Sequence, residues 1–150
     1  TMDVRGIEFQ AVYEPNERLL LRGQYSYSDI DGITCYTSPV SAGEPCQEYR
    51  DLDYRSLKNT LGFLTSYRLD NGIRLSSMVS YHSSKSSFFK GSKLDDFTRI
   101  DLKAAKNWQI GQSSIDISFT VQNVGGAYAE FIRNNIFKTR YIVGLKANFL

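Results

Sequence analysis

Hydrophobic residues recur at every second position along most of this chain. From Tyr141 the apolar positions are Tyr141, Val143, Leu145, Ala147 and Phe149, with Lys146 and Asn148 between them. A period of two fits an extended strand and no helix. Within Ile136 to Leu150 this alternation predicts a last strand, and the same pattern predicts six earlier ones. About Val4 to Glu14, Ile7, Phe9, Ala11 and Tyr13 oppose Glu8, Gln10 and Glu14. About Arg18 to Asp29, Leu19, Leu21, Gly23, Tyr25 and Tyr27 oppose Arg22, Gln24, Ser26 and Ser28. About Arg55 to Leu69, Leu57, Leu61, Phe63 and Tyr67 oppose Lys58, Thr60, Ser66 and Arg68; about Ile73 to Ser83, Ile73, Leu75, Val79 and Tyr81 oppose Arg74, Ser76, Ser80 and His82. About Phe97 to Gln109, Ile100, Leu102, Ala104 and Trp108 oppose Arg99, Asp101, Lys103 and Asn107; from Ser114 to Asn123, Ile115, Ile117, Phe119 and Val121 oppose Asp116, Ser118, Thr120 and Gln122.

The connections alternate in length. Pro15-Asn16-Glu17, Asp70-Asn71-Gly72 and a turn centred on Gly111 are short. If all three residues of the first form its loop, Glu14 faces Arg18 across the pair. In the second, Gly72 supplies the left-handed conformation that a three-residue hairpin loop needs. Ile30 to Tyr54, Ser84 to Asp96 and the stretch holding Gly125-Gly126 and Asn134-Asn135 are long. Short turns on one side and long loops on the other are the signature of outer-membrane barrels, whose chain ends on the short-turn side, as the parity here requires. The expected fold is therefore all-β: an antiparallel up-and-down transmembrane β-barrel segment of about seven strands with short periplasmic turns and long extracellular loops. The apolar faces carry one charge, Lys106, two residues before Trp108, where a snorkelling stem reaches the interface. Tyr13, Tyr67, Trp108 and Phe149 lie toward the short-turn ends of those faces and Tyr27, Tyr81 and Tyr141 toward the long-loop ends, sketching two membrane-interface girdles. Phe9, Leu61, Leu102, Phe119 and Leu145 gathered in one dry core would contradict this orientation.

Composition narrows the partners. Across 150 residues, 18 Lys plus Arg balance 16 Asp plus Glu, which gives no basis for a nucleic-acid partner. No stretch approaches the ~20 consecutive apolar residues of a spanning helix. The mean hydropathy of -0.35 is what alternating strands average to. Ten Tyr and nine Phe against three Pro suit strands and a membrane interface. The chain opens at Thr1 without a signal-peptide pattern, as a mature chain or a fragment does. Cys35 and Cys46 share one loop-like segment without metal or redox spacing, which reads as a disulfide formed in an oxidising compartment in preference to free thiols.

Three stretches carry a family likeness. The opening RGIEFQAVYEPNERLLLRGQYSYSD, the middle FTRIDLKAAKNW and the closing VQNVGGAYAEF followed by RYIVGLKANF resemble the C-terminal barrel strands of TonB-dependent outer-membrane receptors. The points of likeness are Gly6-Ile7-Glu8 with Tyr13 and Pro15, the Asp101-Leu102 pair, and Val121-Gln122-Asn123 followed by Tyr128. Gly125-Gly126 departs from the aromatic followed by Asp or Asn often found there, and Leu150 follows the final aromatic. The resemblance implies that residues 1–150 are the C-terminal part of a 22-stranded receptor barrel whose plug domain, coupling box and earlier strands are absent. It further implies active uptake of a scarce large cargo, most often a ferric siderophore, with no catalysis and no cofactor or metal of its own. The partners it implies are outer-membrane lipid, the missing strands, the energy-coupling protein TonB through the plug, and the barrel-assembly machinery through the last strand.

Candidate chemistry is sparse. His82, the sole histidine, precedes Ser83 and Ser84, but no third group orients it for hydrolysis, and a lumen-lining role near the outer mouth fits better. Asp29, Asp31, Asp95 and Asp96 lack calcium-loop spacing and read as turn residues. The wet-face cations Arg22, Lys58, Arg74, Arg99, Lys103, Arg140 and Lys146 suit an anionic cargo, although pairing with Glu8, Glu14, Asp101, Asp116 and the plug is the plainer role. His82, Phe88, Phe89, Tyr128 and Arg99 are the candidate cargo contacts. The rival readings are a small stand-alone outer-membrane barrel, adhesin or lipid-acting enzyme, with an eighth strand in the cysteine loop, and a soluble lipocalin-like barrel with its apolar faces inward.

Overall fold

The computed structural model describes residues 2–36, 48–51, 57–86, 93–130 and 133–149. The cysteine pair (Cys46 and the Cys35 side chain), Phe88, Phe89 and the Asp31 side chain lie outside the described residues. The strands are β1 (Met2–Asn16), β2 (Leu19–Tyr36), β3 (Glu48–Asp51), β4 (Asn59–Arg68), β5 (Ile73–His82), β6 (Lys85–Ser86), β7 (Lys93–Leu94), β8 (Phe97–Ile110), β9 (Ser113–Gln122), β10 (Tyr128–Ala129), β11 (Ile136–Phe137) and β12 (Arg140–Asn148). Seven of them form one antiparallel sheet in the order β1-β2-β4-β5-β8-β9-β12, each long strand beside its neighbour in sequence. The short strands belong to the long loops: β3 pairs with the far end of β2, β6 with β7 and β10 with β11.

Local chemistry fixes the short turns. Asn16 Oδ1 accepts hydrogen bonds from the backbone N–H groups of Arg18 and Leu19, both at 3.0 Å, and so closes a two-residue loop at Glu17-Arg18. The three-residue loop expected there does not form, and Glu14 does not face Arg18. Asn16 pairs with Leu19, Tyr13 pairs with Leu21, and a bulge between Tyr13 and Asn16 takes up the odd residue. The Arg18 guanidinium instead reaches Asp70 in the neighbouring turn at 2.5 Å. The register moves by two residues, which leaves every side chain on its expected face. The second turn forms as expected: Gly72 takes φ +80°, its N–H bonds to Leu69 O at 3.0 Å, and Leu69 N–H bonds to Ile73 O at 2.8 Å. In the third, Gly111 at φ +62° opens a two-residue loop between the partners Ile110 and Ser113.

These registers align the alternation across the whole sheet. One row runs Tyr13, Leu21, Thr65, Ser77, Leu102, Val121, Tyr141, and the next runs Leu19, Tyr67, Leu75, Ala104, Phe119, Val143. Tyr13, Tyr67 and Trp108 lie on this face toward the short-turn ends and Tyr81 and Tyr141 toward the long-loop ends, whereas Tyr27 lies mid-strand, because β2 runs past its expected end at Asp29 to Tyr36, and Phe149 follows the last residue of β12. The face covers no core. Phe9 is 64 %, Leu61 48 %, Leu102 43 %, Phe119 46 % and Leu145 71 % exposed, and Leu94 is the one buried hydrophobic residue among the described residues. The opposite face is mostly polar, with scattered apolar residues such as Val4, Val12 and Ile142 and a small island in which Leu64 stands opposite Met78 with Leu20 one row away. The sheet is open: among the described residues, β1 and β12 each pair along one side only.

Candidate functional site

The most built part of the polar face lies at the long-loop end of β5, β8 and β12. His82 ends β5 and Phe97 begins β8, directly opposite each other. Both sit in the polar phase of their strands, so their rings stack there, with centroids 4.7 Å apart at 21°. Tyr128 lies flat on the other side of Phe97, at 4.0 Å and 4°. Its ladder partner Phe137 continues the stack at 5.5 Å and 15°, and the Arg140 guanidinium caps it 5.1 Å from the Phe137 centroid. Four rings and a cation thus join five strands. Each aromatic pair contributes about 0.5–1.5 kcal/mol beyond its buried area, which lets a short hairpin such as β10-β11 hold its place.

A polar lock anchors the same hairpin from below. Arg99 and Asp101 are two apart on β8 and therefore on one face, where the guanidinium binds the carboxylate in a forked pair at 2.6 Å and 2.9 Å. The other role of Asp101 is to accept the Asn123 N–H at 2.9 Å. Asn123, 3 % exposed, directly follows β9 in the left-handed conformation at φ 56°, which Asn tolerates and most residues do not. Its amide nitrogen donates to Phe137 O at 3.1 Å, and its own carbonyl accepts from the Thr139 hydroxyl at 2.9 Å. The chain therefore leaves β9, turns, and is tied at Asn123 to β8 through its backbone N–H, to β11 through its side chain and to Thr139, just before β12, through its carbonyl. His82 Nδ1 and Asn123 Oδ1 are buried and make no hydrogen bond.

A cavity of about 320 Å³ opens beside the stack, walled by Phe97 and Tyr128 with Lys93, Asp95, Asp96 and Arg133 at its rim. Its size is at the low end for small-molecule pockets. An aromatic wall with charges of both signs suits a planar or amphipathic ligand. The Ser83 hydroxyl accepts the Asn59 N–H at 3.1 Å, and the His82 ring lies against Phe97. Among the described residues, no cluster of three or more His, Cys, Asp or Glu side chains is placed to hold a metal ion.

Three of the expected contacts, His82, Arg99 and Tyr128, come together in this cluster. Phe97, Phe137 and Asn123 were not singled out as contacts from the sequence. The signal for Phe97 is its phase, an aromatic at an odd position of a strand whose apolar face is even. Among the described residues, most of the expected ion pairing is absent. Arg99 takes Asp101 as expected, but Lys58 pairs with Asp29 at 3.5 Å, and among the described residues no ion pair involves Glu8, Glu14 or Asp116. The ladder explains Glu8, which stands opposite Ser26, but not Asp116, which stands directly opposite Lys146 without closing to ion-pair distance.

No protein-family model, no curated protein and no solved structure matches this chain.

Proposed function

We propose that this chain is a wall segment of a large outer-membrane β-barrel, the C-terminal part of a receptor of the TonB-dependent kind that imports a scarce large cargo, foremost a ferric siderophore. The observation that carries the reading is the exposed apolar face, uncharged but for Lys106 between the row of Tyr81 and the row of Trp108. Along β8 that band runs from Thr98 to Trp108, matching the ~9–11 residues of a tilted transmembrane strand. A soluble sheet would cover such a face with a second layer.

The stagger of the turns supports the same reading. On the row through Leu19, which flanks the first turn, the second hairpin continues two residues further, from Tyr67 to Leu69, and the third six, from Ala104 to Ile110. Six residues at about 3.4 Å each, over four strand spacings of about 4.8 Å, set the turns level only when the strands tilt by about 45°. Membrane barrels tilt their strands by ~35–45°. Tyr13 and Tyr141, on one row at opposite edges, then fall at opposite interfaces. The unpaired sides of β1 and β12 call for further strands, since lipid leaves no backbone group unsatisfied. The aromatic stack faces the lumen near the outer mouth and is the segment's contribution to cargo binding.

Cell fractionation combined with uptake of labelled ferric siderophores tests this. The expected result is recovery in the outer membrane and loss of uptake of one siderophore class when the protein is removed. Recovery in the aqueous fraction would contradict the membrane placement, and unchanged uptake of every class would contradict the cargo.

A further inference from the structure

We propose that the apolar face holds an anionic phospholipid in the leaflet on the short-turn side, its phosphate at Lys106 and one acyl chain in the furrow beside Ala104. This rests on the membrane placement above. The furrow, about 400 Å³, exists because small side chains fall together: Thr65 stands opposite Ser77, and Ala104 lies one strand over and one row lower. Leu75, Leu102 and Phe119 wall it. Thr65 and Ser77 lie four residues, and Ala104 six, from the last ladder pair of their hairpins. With a 45° tilt that is about 10–14 Å above the turns, within the lower half of a ~25 Å apolar band.

Charge selects the headgroup. Lys106 sits one row below Ala104, between Ile73 and Ile117, and is the one charged side chain of this face between the row of Tyr81 and the row of Trp108 among the described residues. Its Nζ lies 5.2 Å from the Trp108 ring centroid. Trp108 is two residues nearer the turn, so the stem points out of the band and carries the ammonium toward the headgroup level. An ammonium against an indole at an interface, below a dry furrow, matches a phosphodiester above which an alkyl chain enters the bilayer. A zwitterionic lipid gains less there, because its own cation competes with Lys106.

The complete polypeptide that carries these strands, purified in mild detergent and offered phosphatidylglycerol and phosphatidylcholine in equal amounts, tests this by native mass spectrometry. The expected result is about fivefold preferential retention of phosphatidylglycerol, the scale of one basic residue near an anionic surface. The preference falls below twofold in Lys106→Gln, and retention of both lipids drops in Ala104→Phe, which fills the furrow. Equal retention by the unaltered protein, a preference that survives Lys106→Gln, or a dimer that excludes lipid from this face overturns the inference and leaves the membrane placement standing. Recovery of the polypeptide in the aqueous fraction of cells removes both.

Discussion

The two faces of this sheet solve the same problem in opposite ways. On the polar face, groups satisfy one another: Arg99 grips Asp101, the Ser76 hydroxyl meets the Ser66 hydroxyl at 3.0 Å, and four rings stack over the ends of β5 and β8. Leu102, Phe119 and Leu145 on the other face stay exposed, and that face is largely apolar from strand to strand. Specific pairwise contacts mark a surface that must hold a shape in water. On the proposed membrane placement, the apolar surface takes lipid as its solvent.

The sharpest way to break that comparison is one charge on each face. Leu102→Arg, near mid-band, is expected to cost about 2–4 kcal/mol, read as a shift in the denaturant midpoint of the membrane-assembled protein. Thr120→Arg on the polar face should stay within about 0.5 kcal/mol of the parent. Equal costs would mean that the two faces meet the same medium.

Next is the lock. Asp101→Ala strips Arg99 of its partner and leaves the buried Asn123 N–H without an acceptor, a loss of about 1–3 kcal/mol. Faster amide exchange at Asn123, with β1 and β2 unaffected, would localise it. Tyr128→Ala removes two ring contacts, about 1–3 kcal/mol together, and should weaken cargo binding while leaving assembly intact. Unchanged cargo affinity would remove the stack from the binding surface. The smallest effect belongs to Gly72→Ala. A Cβ there meets nothing within 4 Å, so the cost is the left-handed backbone alone, about 1 kcal/mol, visible as a lower midpoint with an unchanged m-value.

Strands and faces were legible because alternation is local and repeats in every strand, so an error of two residues at Asn16 changed the register without turning a side chain over. Asp70-Asn71-Gly72 was legible for the same reason: the residues that make the turn are the turn. The closure at Asn16 was missed because an Asn side chain bonding two residues ahead competes with the proline beside it. The stack was only half visible. His82 and Phe97 are fifteen positions apart in the chain and Phe137 forty more, so their meeting depends on β5, β8 and the β10-β11 hairpin being placed first. The same dependence holds for Glu8, which the ladder sets opposite Ser26, whereas Lys146 falls opposite Asp116 and still forms no ion pair. The Leu20, Leu64 and Met78 island was passed over because alternation sorts residues by parity and these are apolar residues in the polar phase.

Aqueous labelling of single introduced cysteines on β8 and β12, in membranes and against the unsubstituted protein as background, tests the orientation most directly. Leu102→Cys, Val143→Cys and Leu145→Cys should resist a water-soluble maleimide, while Lys103→Cys and Lys146→Cys react, a period of two along both strands. Rapid labelling at positions 102, 143 and 145 with protection at 103 and 146 would put the apolar face inward and contradict the account.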